Sequence, residues 1–464
     1  MLTRIYVDNF RCLVNFECHL GAQQLILGGN GAGKSTLFDV LGLLRDFCVR
    51  GEPPDGRFMG RTRTRWLGVR TQTFELDVSG NGGTYRLRLE LDSWGSPQRP
   101  RVLKEEVTYS GSPIFRFESG EVHLFNDRSE GKVKYPFDWH RSALATVTER
   151  KDNTKLSWFK RWLGRVLVVS PDPRRMSGIA AQEVRSPDQY LANFADWYRH
   201  LRQETDDFEY IKDLREVISG FVAMRLEHAG ERRREIKVKM ADSANGTGET
   251  EDPEYLLGEL SEGQRVLIGL YAVLHFGLKP ETTVCFDEPD NFIALGEVLP
   301  WLTKVLDRTQ EDEPAQALIA SHHPELLNRM AFAEGLLLER PDGRLVRARR
   351  FDDPSQTGLS AAELMVRGWE RERTRLGDDL TVRGRRSGAT GPLLSEEVRA
   401  QYNTTLLHPH QCEPQPPNPR VGSRQSRARS DLCRLASRIT NTMAEDRIIA
   451  PSSAERTDRG RNPH

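Results

Sequence analysis

The run Gly28-Gly29-Asn30-Gly31-Ala32-Gly33-Lys34-Ser35 fits the pattern G-x-x-x-x-G-K-[ST]. It follows the apolar run LIL and opens the helically spaced KSTLFDVLGLLRDF. Glycines let successive backbone N–H groups wrap a phosphate chain, and a helix N-terminus behind them adds a favourable dipole. Lys34 is expected to bridge the β- and γ-phosphates of a nucleoside triphosphate, and the Ser35 hydroxyl to ligate Mg²⁺. Asn30, Ala32 and Thr36 complete the expected phosphate contacts.

Three further stretches carry chemistry. VCFDEPD is an apolar strand ending in Asp287-Glu288. An aspartate at a strand end can complete the Mg²⁺ shell begun by Ser35. Glu288, one residue on, is placed to orient and deprotonate an attacking water. IASHHPELL runs from a strand into a helix, and His322 is expected to touch the γ-phosphate; His323, before Pro324, reads as structural. LSEGQR places Ser261 at a helix start with Gln264 at the capping-box position. A cap explains the start of a helix. It gives no reason for Gly263, nor for the 227 residues between Lys34 and Ser261.

The elements that must position these residues can be read from periodicity. TRIYVDNF and QQLILGG are strand-like, and TFELDV and TYRLRLEL alternate as an antiparallel sheet would, with turn signals at SGNGG and SWGSP. RVLVVSPDP is a buried strand ending at prolines. YLANFADWYRHL and EYIKDLREVI have helical spacing, FVAMRLEH and EIKVKM make a hairpin, and ADSANGTGETEDPEY reads as a flexible acidic connector. Helix, strand, helix and strand follow LSEGQR, then a hairpin (GLLLER, RLVRARRF) and a helix at AAELMVRGWER.

Composition bounds the rest. The 464 residues suit one large domain or two ordinary ones, and 67 basic against 67 acidic side chains give no global electrostatic case for nucleic acid. Six cysteines (Cys12, Cys18, Cys48, Cys285, Cys412, Cys433) form no C-x-x-C pair, and no window approaches a membrane span. A reduced, cytoplasmic protein with no membrane partner is expected. From 371 onward there are 17 arginines, no lysine and 11 acidic residues with few apolar runs. Such a segment cannot offset its ordering entropy, so disorder is expected.

The order GGNGAGKS, LSEGQR, VCFDE, SHHPE resembles an ABC-type ATPase head. More narrowly, the chain is similar to the standalone AAA-family ATPases of the RecF/OLD/SMC-like branch, up to about residue 372, and IYVDNFRCL resembles that family's opening. The resemblance implies an α/β fold, an ABC-type P-loop head with a mixed sheet, an antiparallel β subdomain and a helical insertion. The head would span 1–375, with helices and a hairpin inserted at about 172–258, and the Arg-rich tail 376–464. It implies that Ser261 and Gly263, beside Gln264, press on the γ-phosphate bound by a second copy. A head-to-tail homodimer or higher homo-oligomer would then close on two ATP, with Mg²⁺, and hydrolyse them to ADP and phosphate. Arg11 matches a basic position near phosphate. Family members of this kind gate an effector protein encoded nearby, such as a nuclease, in phage defence or DNA maintenance.

The alternative is a RecF-like repair mediator that binds DNA in an ATP-dependent way; the basic stretches 56–66, ending at Trp66, and 231–239 would serve it. A transporter's nucleotide-binding subunit fits less well, because relatives there place the signature roughly 100 residues after the phosphate lysine and carry a Ser-Ala-Leu-Asp run where PDNFIAL stands. A scaffold that binds ATP without turning it over is opposed by the intact Asp287-Glu288 pair. Glu262 departs from the transporter glycine, and Gln72 is the weak candidate for a Q-loop glutamine. A fused Toprim nuclease, needing carboxylates such as Glu339 and Asp378-Asp379 at strand ends, is rejected. HPHQC at 408–412 is too sparse for zinc.

Overall fold

The computed structural model describes residues 1–53, 62–92, 100–241, 252–311, 315–341, 345–352 and 358–367. The expected tail, the HPHQC stretch, Asp378-Asp379 and most of the acidic connector lie outside the described residues. The described ones belong to the first of two units, Met1–Asp379 and Leu380–His464.

Two sheets organise this unit. The first has eight strands in the order Phe16–His19, Leu2–Asp8, Thr71–Gly80, Gly83–Asp92, Arg101–Tyr109, Ser112–Glu118, Glu121–Phe125, Gly131–Pro136. Every pair is antiparallel. Alternation is visible in Gly83–Asp92, where Tyr85, Leu87, Leu89 and Leu91 are buried on one face.

The second sheet runs Leu167–Val169, Thr283–Asp287, Gln316–Ala320, Gln23–Leu27, Gly335–Glu339, Arg347–Arg350. Its first five strands are parallel and the last pair antiparallel. Parallel strands are covered on both faces, and Thr283–Asp287 and Gln316–Ala320 are accordingly buried at every position. Cys285, Leu318 and Ile26 face a core shared with the antiparallel sheet and the helix Lys34–Cys48. Phe286, Ile319 and Leu27 face a second core, built with the helices Phe194–Glu204, Phe208–Val217, Glu262–Ala272, Leu295–Arg308 and Pro324–Glu334. The expected mixed sheet, antiparallel lobe and helical lobe are all present.

Gln316 stitches the two sheets. Its amide, 1% exposed, donates to the carbonyls of Leu2 and Gly21 (2.7 Å each) and accepts from Leu2 N (2.9 Å) and Thr283 Oγ1 (2.8 Å). Such a residue is fully satisfied and therefore affordable in a core.

Two details go beyond the periodicity. Helices at Ala143–Thr146 and Thr154–Gly164 bury Trp158 and Trp162 against the antiparallel sheet. The expected connector ends in the strand Glu254–Leu256, which extends the hairpin Phe221–His228/Arg234–Met240. Within the basic stretch 231–239, Lys237 is paired with Glu227 (2.6 Å) and Lys239 with Asp252 (3.4 Å). Those lysines are locally neutralised.

Candidate functional site

The phosphate loop leaves the strand Gln23–Leu27 and enters the helix Lys34–Cys48 through three glycines at positive φ: Gly28 (142°), Gly31 (77°) and Gly33 (103°). L-residues rarely adopt these conformations. A Cβ on Gly28 would also lie 2.4 Å from the Leu338 carbonyl oxygen, whereas one on Gly31 would meet nothing within 4 Å. We predict that Gly28→Ala destabilises the fold by about 2–3 kcal/mol. Gly31→Ala should cost only the left-handed backbone, about 1–2 kcal/mol. Urea midpoints of the two variants check this, and equal losses would contradict it.

Around the loop the expected groups converge. Lys34 is 7% exposed; its Nζ donates to the Gly28 carbonyl (2.8 Å) and lies 2.7 Å from His322 Nε2. Burial lowers the Lys34 pKa, opposed by Glu288 and Asp287. Burial also lowers that of His322, reinforced by the Lys34 charge. A neutral imidazole accepting from the ammonium at Nε2 fits both shifts. His323 is the helix cap: its Nδ1 accepts from Glu325 N (3.2 Å), in agreement with the reading from Pro324.

Asp287 closes the strand Thr283–Asp287 at 7% exposure. Burial raises its pKa, and a hydrogen bond from the Ser35 hydroxyl works against that rise. Its Oδ1 is buried with no hydrogen-bond partner among the described residues. A desolvated carboxylate with an idle oxygen beside a loop hydroxyl is what a hard divalent cation would satisfy, so the residues present fit Mg²⁺. Among the described residues no cluster of three His, Cys, Asp or Glu could hold a metal alone, which leaves the remaining positions to phosphate oxygens and water.

Glu288 adopts φ 51°, a strained choice for a glutamate, and its N–H donates to the Ala320 carbonyl (2.8 Å). Asn291 Nδ2 donates to its Oε2 (2.9 Å), fixing the carboxylate from within the same turn. Asn291 is a residue that sequence reasoning alone does not single out; the spacing Glu-x-x-Asn is the available signal. Phe292, at φ 73°, ends this turn.

Arg11 also has positive φ (51°) and pairs with Asp39 of the loop helix, with its guanidinium carbon 5.2 Å from the Phe10 ring centroid. It lines a cavity of about 630 Å³ along that helix, with Asp39, Arg45, Asp46, Arg175 and Tyr190. Thr36 accepts from the Cys12 thiol (3.9 Å), while Asn30 is exposed and Ala32 buried. Gln72 is 0% exposed within the antiparallel sheet, and its amide donates to the Asn9 carbonyl (3.0 Å). That amide supports the opening loop.

Ser261 caps the helix Glu262–Ala272: its Oγ accepts from Gln264 N (3.2 Å), and Gln264 Oε1 accepts from Ser261 N (3.0 Å). A Cβ on Gly263 would lie 2.9 Å from the Phe292 carbonyl oxygen, so this glycine has a reason within its own chain. Arg174 pairs with Glu262 (2.9 Å) and stands over the Phe292 ring (5.6 Å). The turn that begins at Glu288 thus ends against the head of the Ser261 helix.

A family model described as "AAA domain, putative AbiEii toxin, Type IV TA system" matches residues 25–328, from within the strand before the phosphate loop to the helix after His322. No curated protein matches the chain. Among solved structures, the SMC head domain from Thermotoga maritima is 14% identical with a TM-score of 0.36, covering 75% of this chain and 98% of its own. The SmcHead bound to the C-winged helix domain of ScpA is 12% identical with a TM-score of 0.42, covering 76% of this chain and 99% of its own.

Proposed function

The chain belongs to this AAA-domain family, and from that premise we propose that it is an ATP-hydrolysing switch that closes head-to-tail around two ATP and gates a partner effector. The observation that carries the reading is Asp287, buried at the end of its strand with the Ser35 hydroxyl beside it and Oδ1 unpaired. That arrangement has no packing rationale and a direct electrostatic one.

In this reading the loop N–H groups and Lys34 bind the phosphates, and His322 meets the γ-phosphate from beside Lys34. Glu288, held by Asn291, orients the water and takes its proton. Mg²⁺, when bound by Ser35 and Asp287, neutralises charge on the phosphate oxygens. Ser261, exposed at its helix head, reaches the nucleotide of the second copy, with Gly263 and Gln264 shaping that head. ATP contacts both halves only in the closed dimer, so binding shifts the population toward closure and hydrolysis reverses it. The effector partner, encoded alongside and acting in phage defence or DNA maintenance, is part of the same proposal; the family description itself names a putative toxin of a Type IV TA system. The pairing of Lys237 and Lys239 weakens the case for direct DNA binding at 231–239.

Light scattering tests the assembly. With ATP and Mg²⁺, Glu288→Gln should double in mass, and adding Ser261→Arg should return it to a monomer. Gly263 is a poor probe, because its substitution strains the contact with Phe292 in the monomer. A mass that ignores ATP, or a doubling that survives Ser261→Arg, sinks the role of Ser261 in the second copy.

A further inference from the structure

Trp66 is 50% exposed, yet the loop carrying it is built with care. Asn9, fully buried at φ 60°, accepts from Thr64 N on Oδ1 (3.1 Å) and donates from Nδ2 to the carbonyls of Val69 and Thr71 (2.9 Å each). Leu67 N closes a turn on the Thr64 carbonyl (3.2 Å), and Arg11 N donates to that of Thr62 (2.6 Å). One buried asparagine therefore grips both ends of the segment that presents the indole. The Arg340 guanidinium carbon lies 5.4 Å from the Trp66 ring centroid and orients the ring further.

The segments that carry both supports of this ring also wall the phosphate loop. Arg340 stands two residues beyond Leu338, whose carbonyl oxygen lies where a Gly28 side chain would begin. On the other side, the chain runs from Asn9 through Arg11 to Cys12 and Leu13, which lie 3.2 and 3.5 Å from a Cβ built on Gly33. The indole is fixed by the same two segments that shape the loop for phosphate.

We propose that Trp66 is the platform on which the base of the bound nucleotide stacks, with Arg340 bracing the ring. This rests on the nucleotide reading above and names the group that recognises the other end of that ligand. Stacking is tolerant of base identity, because every base presents a π-face. ATP and GTP should therefore bind within a few-fold of one another, and a bare triphosphate chain should be indifferent to Trp66. A single-stranded nucleic acid could also stack there, but the geometry favours the nucleotide because the segments carrying both anchors of the ring also touch the phosphate loop, through Leu338 on one side and Cys12 and Leu13 on the other.

Calorimetry on the full chain with Mg²⁺ decides the matter, using ATP and inorganic tripolyphosphate as probes. Trp66→Ala should weaken ATP by about tenfold or more and leave tripolyphosphate unchanged. Trp66→Phe should restore most of the loss, and Lys34→Ala should weaken both probes. If the wild type binds both probes and Trp66→Ala affects neither, or affects both equally, the platform is refuted while the phosphate loop stands. If the wild type binds neither, the nucleotide reading falls and this inference with it. If Trp66→Ala spares ATP but weakens a single-stranded oligonucleotide, the ring serves nucleic acid and the proposal is overturned.

Discussion

Replacing Glu288 by glutamine is expected to lower ATP turnover by about 10²- to 10⁴-fold while nucleotide affinity stays within a few-fold of wild type. The substitution keeps the size of the side chain and an oxygen for the Asn291 amide, which now meets Glu288 Oε2 at 2.9 Å. What disappears is the basic oxygen that would take a proton from water. The backbone should hold its strained φ, because the Glu288 N–H remains tied to the Ala320 carbonyl. Asn291→Ala should lose much less, since it frees the carboxylate without removing it. Phosphate release and equilibrium binding, measured on the same preparations, check both. Turnover by Glu288→Gln within tenfold of wild type would remove Glu288 from the chemistry.

Asp287→Asn is expected to separate stability from activity. Burial raises the Asp287 pKa, and neighbouring Glu288 and Asp39 add to the rise. A carboxylate whose folded pKa exceeds its unfolded one binds more protons in the native state, so stability falls as pH rises through that interval. The penalty grows as pH rises above the ordinary aspartate range. Asparagine removes it and can still accept from Ser35, so the variant should melt higher than wild type in the presence of a chelator. That gain should shrink as the pH is lowered toward the ordinary aspartate range. Turnover should drop at least about a hundredfold, because the charge that would hold the cation in the proposed function is gone. Thermal melts with and without Mg²⁺-ATP, alongside phosphate release, report both sides. A variant that melts lower than wild type would mean Asp287 is a structural carboxylate.

Much of this was legible in the residues. Buried parallel strands, the glycine-rich loop and the Asp-Glu ending are local patterns, and Cys285-Phe286-Asp287 shows its two faces and its terminus without help from elsewhere. What stayed hidden depends on partners distant in sequence. Nothing near Asn9 reveals that it will be buried at positive φ and bind across to Thr64, Val69 and Thr71. Gly263 was readable as a signature glycine, but its contact with Phe292 exists only once a helix head meets a loop from another strand. Glu105 reads as a polar position in an alternating strand; it is buried, and accepts from Ser142 Oγ (2.5 Å) and from the N–H groups of Ala143 and Leu144. Gln72 is a polar side chain whose burial could not be read locally; its amide completes a backbone account within the sheet.

The position of the strand Gln23–Leu27 bears on how the protein is made. This strand carries the phosphate loop, yet its neighbours are Gln316–Ala320 and Gly335–Glu339, and Leu25 pairs with Gly335 some 310 residues later. Gln316 repeats the pattern by binding Leu2. At ribosomal speeds of about 5–20 residues per second, the loop's strand waits roughly 15 to 60 seconds before its flanks emerge. Through that interval a segment as apolar as LIL has no mate, and chaperone demand should concentrate there. Chains released before about residue 340 would lack a flank of the strand that carries the loop, so the site is completed late and nearly all at once.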